Sequence, residues 1–200
     1  MTRGGLAWLG VALLLGAVAL AGWCMPGNVP RESVDWQPAQ AFAQPWRAFT
    51  AVGVHYSGRH LGVNLGGLAI TALLGLVART PMSLAWSWIA AWPLTHFGLL
   101  IEPHLLHYGG LSGVLHAGVA VVVTFLLVTG TRAQRAIAGA LALGLVAKLL
   151  GEAPWGEPLR HPAGWNIAIA PLAHATGAGA GAVCATLALL LTRAAAPRHV

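Results

Sequence analysis

Tyr108-Gly109-Gly110-Leu111-Ser112-Gly113-Val114-Leu115-His116-Ala117 opens an apolar run that continues to Thr129. A helix needs roughly 20 mainly apolar residues to cross a bilayer, so this run reads as a membrane span with a serine at its head. Far downstream, Ala173-His174-Ala175-Thr176-Gly177 sets a histidine into a second such run. A hydroxyl and an imidazole at lipid depth are costly to bury, which makes each a candidate functional residue by default.

The rest of the chain fits a membrane setting. Of its 200 residues 57% are hydrophobic and 8% charged, with mean hydropathy +0.71. Soluble domains carry about 25% charged residues, so this chain lacks the charge to cover a water-facing surface. The expected class is an all-α polytopic membrane protein forming one domain over 1–200. A net charge of +6 and a pI near 10.7 would suggest nucleic acid in a soluble protein. Here the cations stand singly at the ends of apolar runs, where they set topology, so no nucleic-acid partner is expected. Cys24 and Cys184 lack CxxC spacing and read as inert packing thiols.

Six spans are expected, at about 6–24, 60–77, 82–100, 111–129, 133–150 and 166–191. Arg3 before the first resembles the charged start of a signal peptide, but the apolar part is long and Ala21-Gly22-Trp23-Cys24 is a poor cleavage site, which favours a retained anchor. Residues 25–58 hold Pro26, Pro30, Pro38 and Pro45 and read as a long outer loop with short interfacial helices. With six spans, Arg3, Arg79, Arg132, Arg135, Arg193 and Arg198 share one side, and all five acids (Glu32, Asp35, Glu102, Glu152, Glu157) lie in loops on the other. The cationic side is then cytoplasmic, with both termini inside.

Small residues crowd the sixth span from His174 to Ala182, and Gly110, Gly113, Ala117 and Gly118 offer a matching face on the fourth. Small residues three and four apart let membrane helices approach closely. Such an approach would bring Ser112 and His174 within reach, although small-residue packing alone implies no chemistry.

A GxSG string arises by chance in roughly one glycine-rich chain in ten; its position says more. Ser112 lies at a helix start, where free backbone N–H groups and the helix dipole can stabilise an oxyanion. The plainer reading is an ordinary N-cap. His174 is the candidate base, neutral at pH 7 when buried, or else a bridge between helices. With every acid assigned to a loop, the pair would be a Ser–His dyad with no carboxylate to orient the ring. His60 and Asn64 share a helical face and can supply oxyanion donors. Trp46-Arg47 suits an interfacial ring with a snorkelling cation.

Trp46-Arg47, His55, His60-x-x-x-Asn64, Gly110-Leu111-Ser112-Gly113 and Ala173-His174-x-x-Gly177-x-x-x-Gly181 together resemble the rhomboid intramembrane serine proteases, in that family's order and over about residues 46–190. The resemblance implies a six-helix rhomboid-like bundle, Ser112 as nucleophile and His174 as base. His60, Asn64 and the backbone N–H groups of Leu111 and Ser112 would stabilise the oxyanion. Gly110, Gly113, Gly177, Gly181, Trp46, Arg47 and His55 would be supporting residues. Many rhomboids carry an aromatic residue four after the serine, stacked on the base. Here that place holds His116, which can stack or hydrogen-bond.

Gly-Leu-Ser-Gly-Val-Leu-His, Glu102-Pro103 and Lys148-x-x-x-Glu152 look like the rhombosortase subgroup. This implies a bacterial inner-membrane enzyme opening to the periplasmic side. Its substrates would be single-span proteins with a C-terminal Gly-Gly, helix and basic tail, and no cofactor or metal would be needed. Lys148 and Glu152 also read as a plain ion pair one helical turn apart. Two rivals stand beside this reading: an inactive rhomboid-like protein that holds client helices, and a metal or haem protein using His55, His60, His104, His107 and His174.

Overall fold

The computed structural model describes residues 2–164 and 166–195. The expected loop at 25–58 is the first surprise. It folds onto one end of a helical bundle around a buried ion pair. Asp35 and Arg47 are almost fully buried. The Arg47 guanidinium donates to the Asp35 carbonyl at 2.9 Å, the Glu32 carbonyl at 2.8 Å and Gln44 Oε1 at 2.6 Å, with Asp35 Oδ1 at 3.4 Å. The expectation that Arg47 snorkels outward is therefore corrected, because one carboxylate and three further oxygens satisfy its fork inside the protein. Only Trp46 stays largely exposed, its ring 4.9 Å from the Arg47 guanidinium.

Helix α1 is Arg3–Trp23, α2 Arg47–Thr50, α3 Gly58–Val77, α4 Met82–Phe97, α5 Ser112–Thr129, α6 Arg132–Glu152 and α7 Pro171–Ala194. Six of these, with α4 extended to Ile101 by a 3₁₀ turn, are long and apolar enough to cross a membrane, and the protein is a multi-pass helical bundle. Among the described residues there is no strand, only two isolated bridges.

Local chemistry sets the boundaries. Thr2 and Ser57 cap α1 and α3 by accepting from the N–H groups of Gly5 and His60, each at 3.1 Å. A capping box of Thr131 and Gln134 starts α6. Pro171 starts α7, where a missing N–H costs nothing, so that helix begins five residues later than the apolar run suggested. Helix α6 runs on to Glu152, two residues past its expected end, and stops where Ala153 turns left-handed at φ 48°. Cys24 is exposed rather than packed, and both cysteines are free.

Gly4 meets the α3–α4 turn, since a Cβ there would strike the Thr80 carbonyl. The start of α1 therefore lies with Arg79, at the end of the bundle opposite the folded loop. The core between α1, α3, α4 and α5 is built on two tryptophans. Trp8 and Trp88 stack at 4.4 Å, and their indole N–H groups donate to the Thr71 carbonyl at 3.2 Å and the Val114 carbonyl at 2.8 Å.

Helices α5 and α7 touch along their backbones. A Cβ on Gly177 would strike the Gly113 carbonyl, and one turn further a Cβ on Gly181 would strike that of Ala117. The small residues thus do what their spacing predicts, in one parallel register. Helix α6 differs: Ala138 alone of its 21 residues is buried.

Candidate active site

Ser112 is the first residue of α5 and His174 lies in the first turn of α7. The parallel seam between those helices sets both side chains at the same height. Ser112 Oγ is 2.9 Å from His174 Nε2. The N-cap of α5 is Leu111, and no side chain makes a capping bond there. Ser112 is therefore not an ordinary cap; its hydroxyl is aimed at the imidazole.

The bend that delivers it is made by Gly110, whose φ of 136° is a conformation L side chains rarely adopt. The His60 ring occupies the place a Cβ would take, 3.0 Å away. The Gly110 N–H donates to the Ala51 carbonyl at 2.9 Å, and Tyr108 exchanges two backbone hydrogen bonds of 2.8 Å with Trp36. His107 Nδ1 sits 2.8 Å from Asp35 Oδ2. The folded loop thus grips the segment that presents Ser112.

His116 both stacks and bonds. Its ring lies 4.3 Å from that of His174, 14° from parallel, and its Nδ1–H donates to the Ser112 carbonyl at 2.7 Å. Across the cavity stand the other expected residues. His60 and Asn64 are buried, and His60 Nδ1 and Asn64 Nδ2 have no hydrogen-bond partner. Buried donors are normally satisfied, so the unmet Asn64 amide, on the same cavity as Ser112, is available to an oxygen that enters it. His55 donates from Nδ1 to the Gly53 carbonyl at 3.3 Å and packs its ring 4.8 Å from that of His60. Burial pushes the His55 pKa down, and the Gly53 carbonyl opposes this. Burial pushes the Tyr108 phenol up, and its O–H donates to the Gly110 carbonyl at 3.4 Å.

The expectation of an unassisted dyad is corrected. Glu152 Oε2 is 2.6 Å from His174 Nδ1, and Glu152 Oε1 is 2.7 Å from Lys148 Nζ. The carboxylate ends α6 and the histidine begins α7, so the antiparallel pair carries them to one level. The available clue was the position of Glu152 one turn beyond Lys148. An apolar run that ends at 150 leaves this acid in a loop, which hides the contact. The other acids do not join this cluster: Glu102 accepts from the His104 N–H at 3.1 Å and Asp35 holds Arg47. Among the described residues no group of three or more His, Cys, Asp or Glu side chains gathers in a form that could hold a metal ion.

Ser112, His174, His60, Asn64, His116, Lys148 and Glu152 line one cavity of about 950 Å³. Its walls are α3 through Val63, Gly67 and Ile70, and α6 through Leu141, Gly144 and Leu145. A second recess of about 460 Å³ meets it at Ser112 and His174 from the side of Tyr56, His107 and Asn166. The arrangement is fit for nucleophilic chemistry on a group that enters between α3 and α6. Compared with known protein families, curated proteins and solved structures, the chain finds no match.

Proposed function

We propose that this protein is an intramembrane serine endopeptidase of the rhomboid type that cleaves single-span membrane proteins. The observation that carries the reading is the 2.9 Å contact between Ser112 Oγ and His174 Nε2 at a cavity walled by the apolar helices α3 and α6. Ser112 Oγ attacks the scissile carbonyl while His174 Nε2 takes its proton, and the tetrahedral oxyanion is met by Asn64, His60 and the backbone N–H groups of Leu111 and Ser112 at the head of α5. Collapse of that intermediate breaks the C–N bond, with His174 returning the proton to the leaving amine. Water, deprotonated by the same ring, then releases the acyl group from Ser112.

The hydroxyl and ring lie at the end of the bundle opposite Arg79. With the cations facing the cytoplasm, the site opens toward the periplasm of a bacterial inner membrane. A helical substrate shields its carbonyls by hydrogen bonding. A Gly-Gly step before a single helix and basic tail unwinds readily, because glycine is a poor helix former, and this is the substrate class we assign.

The test is cleavage of such a reporter by the protein in liposomes. Ser112→Ala and His174→Ala each lower the rate by about 10⁴-fold or more, and a chelator has no effect. Persistence of cleavage in Ser112→Ala would remove the proposed nucleophile.

A further inference from the structure

His174 Nδ1 has two neighbours of opposite charge: Glu152 Oε2 at 2.6 Å and Lys148 Nζ at 3.3 Å. An ionised carboxylate only accepts, and an ammonium only donates. Facing Glu152, Nδ1 must carry the ring proton, which leaves the lone pair on Nε2, 2.9 Å from the Ser112 hydroxyl. Facing Lys148, Nδ1 must be the acceptor, the proton moves to Nε2, and the ring cannot take a proton from the serine. The same imidazole is thus a base in one pairing and inert in the other.

Three contacts hold the productive pairing. Glu152 uses Oε1 to occupy Lys148 Nζ at 2.7 Å, drawing the ammonium away from the ring. The Glu152 carbonyl accepts from Arg160 at 2.7 Å. Arg160 in turn exchanges backbone hydrogen bonds of 2.9 Å and 2.8 Å with Ile169, just ahead of α7. The loop between α6 and α7 therefore closes on itself and sets the carboxylate against the base. An ordinary ion pair on a helix face would involve only Lys148 and Glu152; here the acid's second oxygen is committed to the histidine.

We propose that Glu152 is a positioning residue that selects the productive tautomer of His174, and that it does so by outcompeting Lys148 for Nδ1. This deepens the protease reading and rests on it. The probe is a fluorophosphonate, which phosphonylates an activated serine and needs no substrate: the Ser112 oxygen–phosphorus bond forms, fluoride leaves, and His174 takes the proton. Glu152→Ala lowers the maximal labelling rate by about 100-fold while the concentration for half-maximal rate stays unchanged. Lys148→Met alone lowers it by about threefold, because the tautomer is retained and only the carboxylate's hold is loosened. The decisive variant combines the two. With the competing donor gone, Glu152→Ala/Lys148→Met labels about tenfold faster than Glu152→Ala at an unchanged thermal midpoint, whereas relief of a merely structural ion pair would move midpoint and rate together.

Labelling of Glu152→Ala within twofold of the unaltered protein overturns the proposal, as does a double variant no faster than the single one. If Glu152→Ala does not elute as a folded species, the unaltered protein decides. A strongly deshielded ring N–H proton resonance, lost in His174→Asn, supports the pairing, and its absence overturns it. Undiminished labelling of Ser112→Ala would instead defeat the protease reading itself, so the two failures are distinct.

Discussion

The seam between α5 and α7 and the wall formed by α6 are both made of small and aliphatic residues, yet they are built in opposite ways. In the seam, glycine is needed because backbone meets backbone: Gly177 on Gly113, Gly181 on Ala117. In the wall, Gly139, Gly144 and Gly151 have open space where a Cβ would go, and leucines such as Leu143 point away from the bundle. The seam carries Ser112 and His174 at a fixed separation, whereas the wall carries Glu152. A reacting pair has to be held to within a fraction of an ångström. Under the proposed function a substrate would arrive through the loosely packed side. The difference teaches that glycine content alone says little about rigidity; what matters is which atom lies where a Cβ would be.

Breaking the seam has the largest expected effect. Gly177→Leu drives a side chain into the Gly113 carbonyl, and a loss of about 3 kcal/mol or more is expected. It is measured as a lower thermal midpoint in detergent together with loss of Ser112 labelling. The same change on the wall, Gly144→Leu, meets open space and leaves the midpoint nearly unmoved, which sharpens the contrast; equal losses at both positions would erase it.

The folded outer loop ranks next. Asp35→Ala leaves the buried Arg47 with carbonyl and amide partners but no countercharge. A loss of about 3 kcal/mol is expected, visible as faster proteolysis of the loop before the bundle unfolds. Trp88→Phe keeps the stack on Trp8 but removes the indole's hydrogen bond to the Val114 carbonyl, which keeps its partner within α5, worth about 1 kcal/mol in the same thermal scan. The smallest effect belongs to the wall. Leu143→Ala on the outward face of α6 shifts stability by no more than about 0.5 kcal/mol, and a larger shift would mean that α6 is packed as firmly as the seam.

Much of this was legible in the chain itself. Apolar runs of bilayer length located the six long helices, with edges displaced where a proline or a capping residue decided the boundary, as at Pro171. The spacing of Gly113, Gly177 and Gly181 announced the seam, and a seam in parallel register is enough to bring Ser112 to His174. The resemblance leaves His116 either to stack on His174 or to hydrogen-bond, and the structure has it do both. The burial of Arg47 is not legible, because its partner Asp35 lies across a proline-rich loop whose path no periodicity reveals. Glu152 is hidden for a related reason: a carboxylate at a helix end looks like a loop residue until its neighbour is known.

The sequence by itself determined that the chain spans a membrane repeatedly, which two helices lie backbone to backbone, and which hydroxyl and imidazole share their upper end. Those properties are periodic or local, and each is written in a few consecutive turns. Only the tertiary structure decided that the imidazole has a carboxylate on its far side, that a lysine contends for the same nitrogen, and that the outer loop is packed around an ion pair. Opposite charges attract over several ångströms whatever their distance along the chain, so their pairing is settled by where the helices end in space.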